Sequence, residues 1–262
     1  LRESAVGLVS EMMVASFTDE QLVSNLQDTV ETFHESGITS ISEILAVPGV
    51  NLDKPELYAQ EETKLRVHYY LPIFSEDNLA NLEAHLDDQD PYLRFVGGKI
   101  WVDGSSGSGE SWSLEESLIE DGHYGSHFFA AEELLSFIRH AEEHHYDLKL
   151  HVNGDAATQS ALDALETVEA ELGSLSSRYV FDHLLMIAPG DYGRMLRLGV
   201  TASIQPSHAL VGLYGDQSDH WGSERMNDAW DFAHMEEEGL TLAMGTDWPV
   251  WPTADAMVNY RT

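Results

Sequence analysis

Residues 130–184, AAEELLSFIRHAEEHHYDLKLHVNGDAATQSALDALETVEAELGSLSSRYVFDHL, decide how this chain folds. The run AAEELLSFIRHAEEH predicts an amphipathic helix leading into a β-rich run, DLKLHVNGD. Asp155 can then cap a second helix that carries Leu162, Leu165, Val168 and Leu172 toward a core, and RYVFDHL follows as the next strand. Helices alternating with strands in this way mark parallel strands joined by crossover helices.

The same alternation runs to both ends of the chain. Upstream, a helix opens at Thr18 with Gln21 in capping-box position, lines up Leu22, Leu26, Val30 and Phe33, and stops at Gly37. GITSISEIL and KLRVHYYLP read as strands, a helix opened by Ser75 turns Leu79, Leu82 and Leu86 inward, and YLRFVGGKIWVDG is the next strand. Downstream, GVTASIQP and TLAMGTDWP follow. Roughly seven strands with βα spacing result, one short of the eight that close a TIM-type (β/α)8 barrel. The expected fold is therefore α/β, a single barrel domain over residues 1–262 that holds strands two to eight. The first strand is the one expected to be missing, because the segment before Gly37 has a helical, polar pattern and the residues after Asp247 are too few. Residue 1 is Leu rather than Met, so coding sequence upstream of it is expected.

Composition narrows the setting. Acidic residues outnumber basic ones 46 to 13, a formal charge of -33. Self-repulsion of that size weakens a compact fold unless salt screens it, and at about 1 M salt the Debye length falls to about 3 Å. The acidic residues alternate with apolar ones and form no tail, so the reading is a cytoplasmic protein adapted to high salt. Nucleic acid is not an expected partner, since phosphate binding needs a basic patch. Without cysteine there are no disulfides or thiolate sites, so any metal must be held by His, carboxylate or modified Lys. No apolar run approaches the roughly 20 residues of a membrane span, and no signal-peptide pattern is present at the start. A barrel lacking a strand exposes edge hydrogen bonds and apolar core, so self-association into a homo-oligomer is expected.

Four of the strands end in a residue able to bind a metal: Lys99 in GGKIWVDG, His151 in LKLHVNGD, His183 in YVFDHL and Asp247 in MGTDWP. In a parallel barrel the carboxyl ends of all strands open on one face, where such enzymes do chemistry. Taken singly, a strand-end His is more often a hydrogen-bonded structural residue, and an Asp before Trp-Pro a turn former. Jointly, two histidines and a carboxylate on successive strands suit a divalent ion. Lys99 stands out as one of only four lysines, and it sits in an apolar strand. Asp103, Asp155, His208, Arg225 and Trp248 lie beside these motifs, as substrate contacts and ligand supports or as loop packing and caps. His140, His144 and His145 read as a solvated helix face, and DGSSGSG as a flexible active-site loop.

The order GGKIWVDGSSGS, HVNGDAA, FDHL, SIQPSH, the Gly222–Arg225 segment with Trp230, and GTDWPV resembles the amidohydrolase superfamily. Within it the chain looks like the amidohydrolase family 3 branch, which includes N-substituted formamide deformylases and predicted metal-dependent hydrolases. The resemblance spans nearly the whole chain. It implies a hydrolase for amide or formamide-like C–N bonds of a small molecule, with one or two divalent ions, zinc above others. A carboxylated Lys99 would bridge the metals, His151 and His183 would bind the more exposed one, and Asp247 would touch the buried one and act as general base. The family's His-x-His pair from the first strand and its small β-rich domain are absent from this sequence. A catalytically inactive barrel remnant that binds one metal is the alternative this absence raises.

Overall fold

The computed structural model describes residues 9–10, 12–47, 50–51, 55, 58, 65–210, 217–259 and 261. The chain packs as two compact units, Leu1–Lys99 and Ile100–Thr262, divided inside one strand.

In the first unit, helix Asp19–Glu35 is closed at its start by the capping box the sequence predicts. The Thr18 N–H donates to Gln21 Oε1 at 2.9 Å, and Thr18 Oγ1 accepts from the Gln21 N–H at 3.3 Å. Val30 and Phe33 bury the apolar face. Strand β1 (Ser40–Ile44) is followed by a short antiparallel hairpin, β2 (Ala46–Val47) with β3 (Val50–Asn51), which the sequence pattern does not foresee. Strands β4 (Arg66–Pro72) and β5 (Leu93–Trp101) continue in parallel, β1 on β4 and β4 on β5. Val67, Tyr69, Leu71 and Ile73 are buried along β4 and just beyond it, and the near-continuous apolar run suits a strand covered on both faces. The helix expected from Ser75 is shorter than its pattern: a 3-10 turn, Glu76–Asn78, precedes helix Leu79–Glu83, which buries Leu79 and Leu82.

The second unit holds four parallel strands, β6 (Asp147–Val152), β7 (Tyr179–His183), β8 (Thr201–Ile204) and β9 (Thr241–Met244), each paired with the next. Strand β6 alternates strictly: Leu148, Leu150 and Val152 are fully buried, while Asp147, Lys149 and His151 on the other face keep partial exposure. Helix Ala131–His144 precedes β6, and helix Asp155–Leu172 packs Ala157, Ala161, Leu162, Leu165 and Val168 inward. Two expectations need correction here. Gly154, not Asp155, is the N-cap of that helix, with Asp155 its first residue. Leu172 is 55% exposed, because it falls in the last turn, past the end of the packed face. Among the described residues no helix is long and apolar enough to cross a membrane.

Candidate metal centre

Strands β7, β8 and β9 are adjacent and parallel, so their carboxyl ends open side by side. His183 is the last residue of β7, Asp247 lies three residues past the end of β9, and His208 sits in the 3-10 turn Pro206–Ala209 after β8. One donor atom from each of these three lies within 4.8 Å of the others. His208 Nε2 is 3.8 Å from Asp247 Oδ2, and the His183 and His208 rings stack at 5.9 Å with planes 14° apart. His151, at the end of β6, meets His183 edge-on with ring centroids 4.4 Å apart.

The backbone beneath these side chains is strained. His183 has φ 78, Leu184 φ 51 and Asp247 φ 55. Non-glycine residues at positive φ cost about 1–3 kcal/mol each and gather at functional sites. At His183 the physical result can be read from register. His183 pairs with Val152, and regular pleating would put it on the Val152 face, away from His151. The left-handed turn breaks the alternation and lets the two imidazoles meet.

Hydrogen bonds then set the nitrogen roles. The Gln205 side-chain amide donates to Ser203 O at 3.2 Å, and its Oε1 faces His183 Nδ1 at 2.9 Å. An amide oxygen only accepts, so Nδ1 carries the proton and Nε2 the lone pair that a metal needs. Burial pushes His208 down to about 4, so its imidazole is neutral near pH 7. His151 is held differently: the Asn153 amide shares its hydrogens between Gly104 O at 3.0 Å and His151 Nε2 at 2.8 Å.

The remaining predicted residues separate into two groups. Asp103, fully buried, accepts from the backbone N–H groups of Trp112, Asn153 and Gly154 at 2.8–3.0 Å, which ties the loop after β5 to the end of β6. Gly154 is required there, since a Cβ would collide with the Trp112 backbone. Asp155 accepts from the Leu114 N–H at 2.9 Å and from Arg225 at 2.6 Å, while Arg225 also donates to Ser113 Oγ at 2.8 Å. Asp103, Asp155 and Arg225 thus clamp loops together. Trp248 directly follows Asp247 and is half-buried, with its N–H on Thr246 Oγ1 at 3.4 Å. Lys99 belongs to the first unit, where it is 2% exposed, pairs with Pro72 and accepts the Ile73 N–H on its carbonyl at 2.8 Å. Sequence reasoning missed Gln205 and Asn153, the residues that orient the two strand-end histidines. Their signal is an amide directly after a strand: Asn153 follows β6, the strand of His151, and Gln205 follows β8, the strand beside that of His183.

A family model described as an amidohydrolase family matches residues 1–261. The chain belongs to that family. Among curated relatives of this amidohydrolase, LONG AFTER FAR-RED 3 of Arabidopsis thaliana is 30% identical over 202 residues, covering 74% of this chain and 34% of that protein. YtcJ of Bacillus subtilis (strain 168) is 28% identical over 166 residues, 62% of this chain and 30% of its own length. The chain therefore spans about a third of the length of the curated relatives it matches. Among solved structures, an uncharacterized metal-dependent hydrolase from Pyrococcus furiosus shares the fold, with a TM-score of 0.82 and 23% identity over 99% of this chain and 53% of that one. A second, from Pyrococcus horikoshii OT3, gives a TM-score of 0.75 at 22% identity, covering 91% and 47%.

Proposed function

We propose that this chain is the catalytic part of a metal-dependent hydrolase that cleaves the C–N bond of non-peptide amides or formamide-like small molecules. The observation that carries the reading is the convergence of His183, His208 and Asp247 at the carboxyl ends of parallel strands, on a backbone strained at two of the three. Two imidazoles and a carboxylate suit a borderline divalent ion, zinc above others. Lys99, His151, His183 and Asp247 are the residues that the resemblance assigns to the ion, with Lys99 carboxylated. When bound, the ion supplies Lewis-acid polarisation of a carbonyl and acidifies a water.

The side chains do the rest. Gln205 fixes the His183 tautomer. Asp247, 34% exposed at its side chain, can reach both water and substrate, accepts the proton of the attacking water and returns it to the leaving nitrogen. Asp103, Asp155 and Arg225 hold the surrounding loops. We further propose that the chain supplies strands two to eight of one barrel and works in a salt-rich cytoplasm. We also propose self-association, supported by the exposure of Thr241, Ala243 and Met244 on β9, a strand that pairs with β8. Sedimentation in molar salt should show dimers or larger assemblies. A compact monomer there would remove that part.

A second reading, a barrel remnant that binds one metal without turnover, is favoured by the gathering of only three donors at these strand ends among the described residues. The test is a panel of N-formyl amines, other amides, lactones and phosphoesters, assayed with zinc-loaded and chelated protein. Zinc-dependent release of amine supports the proposal. Hydrolysis confined to lactones or phosphoesters would replace the C–N reading, and metal binding with no turnover would favour the remnant.

A further inference from the structure

We infer that His208 is itself a metal ligand in this chain, completing a three-donor site with His183 and Asp247; the inference rests on the metal-dependent reading above. His208 is the only one of the three that does not stand at or just beyond the end of the strand its motif predicts as a ligand carrier, and the fold brings it in by a separate device. Pro206 follows the end of β8 and opens the 3-10 turn that carries His208 back over the strand ends. The turn is pinned from outside: the Ser207 N–H donates to Asn259 Oδ1 at 3.0 Å, and Asn259 Nδ2 donates to Gly245 O at 2.8 Å. Gly245 immediately precedes the Thr246–Asp247 pair, so one asparagine couples the His208 turn to the Asp247 loop. His208 is 7% exposed, with its ring parallel to that of His183 and its Nε2 toward the Asp247 carboxylate.

The donor chemistry agrees with the placement. Ligand atoms about 2.1 Å from a common tetrahedral ion lie about 3.4 Å apart. The His208–Asp247 separation of 3.8 Å is close to that value, and the widest separation in the trio, 4.8 Å at most, closes by small side-chain rotations. His151 is not part of this three-donor group; its Nε2 faces Asn153 Nδ2 at 2.8 Å and Gly104 O at 3.4 Å. One ion can thus be held by donors carried at the ends of β7, β8 and β9 alone.

Cobalt(II) is the probe, because its visible absorption reports the number and type of ligands without any turnover. Unmodified protein should bind cobalt(II) with visible bands of low coordination number. His208→Leu, which preserves buried volume, and His208→Asn, which preserves polarity, should each weaken cobalt(II) binding at least tenfold and shift the bands. His34→Ala, exposed on helix Asp19–Glu35 and in no such cluster, should bind as the unmodified chain does. Nitrogen-15 histidine labelling of the unmodified cobalt protein gives a readout independent of variant folding, with the paramagnetically shifted imidazoles including His208. If both His208 variants keep the unmodified affinity and spectrum while His183→Asn loses them, His208 is not a ligand and the metal-dependent reading survives. If the unmodified chain takes up no cobalt(II) or zinc, the reading itself fails, and the inference with it.

Discussion

Two polar regions of the second unit differ in how complete they are. On the helix layer, Arg194 donates to Glu166 at 2.7 and 3.1 Å, to Asp191 at 2.8 Å and to Asp163 at 2.5 Å, while Arg197 bridges Glu166 and Glu169. Each of these four carboxylates has a guanidinium partner, and all six side chains stand on two regular helices, Asp155–Leu172 and Asp191–Leu198. At the carboxyl ends of β7, β8 and β9, two imidazoles and a carboxylate converge on strained backbone. The ladder needs nothing from outside, whereas the cluster spends conformational energy to point donor atoms at one another. The first arrangement is what stability alone would select, and the second is what a ligand would require.

The largest expected effect follows from separating these two roles. Asp247→Asn should lower any amide hydrolysis by at least about a hundredfold. Asn tolerates the left-handed region as well as Asp does, so the melting temperature should stay within about 2 °C. Glu166→Gln should do the reverse, lowering the melting temperature and leaving hydrolysis intact. A variant pair in which both fall together would erase the distinction between the regions.

Next in size is salt. The charge of -33 implies that moving from about 1 M to about 0.1 M salt, where the Debye length lengthens to about 10 Å, unfolds or aggregates the chain. Circular dichroism and melting curves that do not change would remove the salt-adaptation reading. They would also show that local ladders such as the one at Glu166 offset the repulsion.

How much of this was legible in the sequence differs between fold and site. The seven parallel strands were, because β-rich runs bounded by amphipathic helices leave little choice of topology, and Thr18 with Gln21 marks a helix start by its own chemistry. The prominence of His183 and Asp247 was legible for the same reason, since both stand where strands end. The rank of His208 was not, because a turn after a strand says nothing about its direction until Asn259, fifty-one residues later, pins it. Asp155 looked like a cap because it precedes an apolar run, but the close approach of Trp112 to Gly154 moves the helix start by one residue. The left-handed turn at His183 carries no sequence mark, since glycine, its usual signal, is absent there.

The smallest effect is acid. Hydrogen bonds from Arg194, then Arg197, hold Glu166 down at about 2 against its ordinary 4.5. A carboxylate lowered on folding contributes stability that is fully present above about 4.5 and is lost as pH falls through about 2. Stability should therefore decline across that window, and Glu166→Gln should flatten the decline. An identical slope in the variant would place the acid sensitivity elsewhere among the chain's carboxylates.

The most direct test of the central claim, that the ends of β7 to β9 hold a metal, is elemental analysis after dialysis against zinc, run on the unmodified chain and on His183→Asn. One equivalent of zinc is expected in the unmodified chain and much less in the variant. Equal retention in both, or none in the unmodified chain, would contradict it.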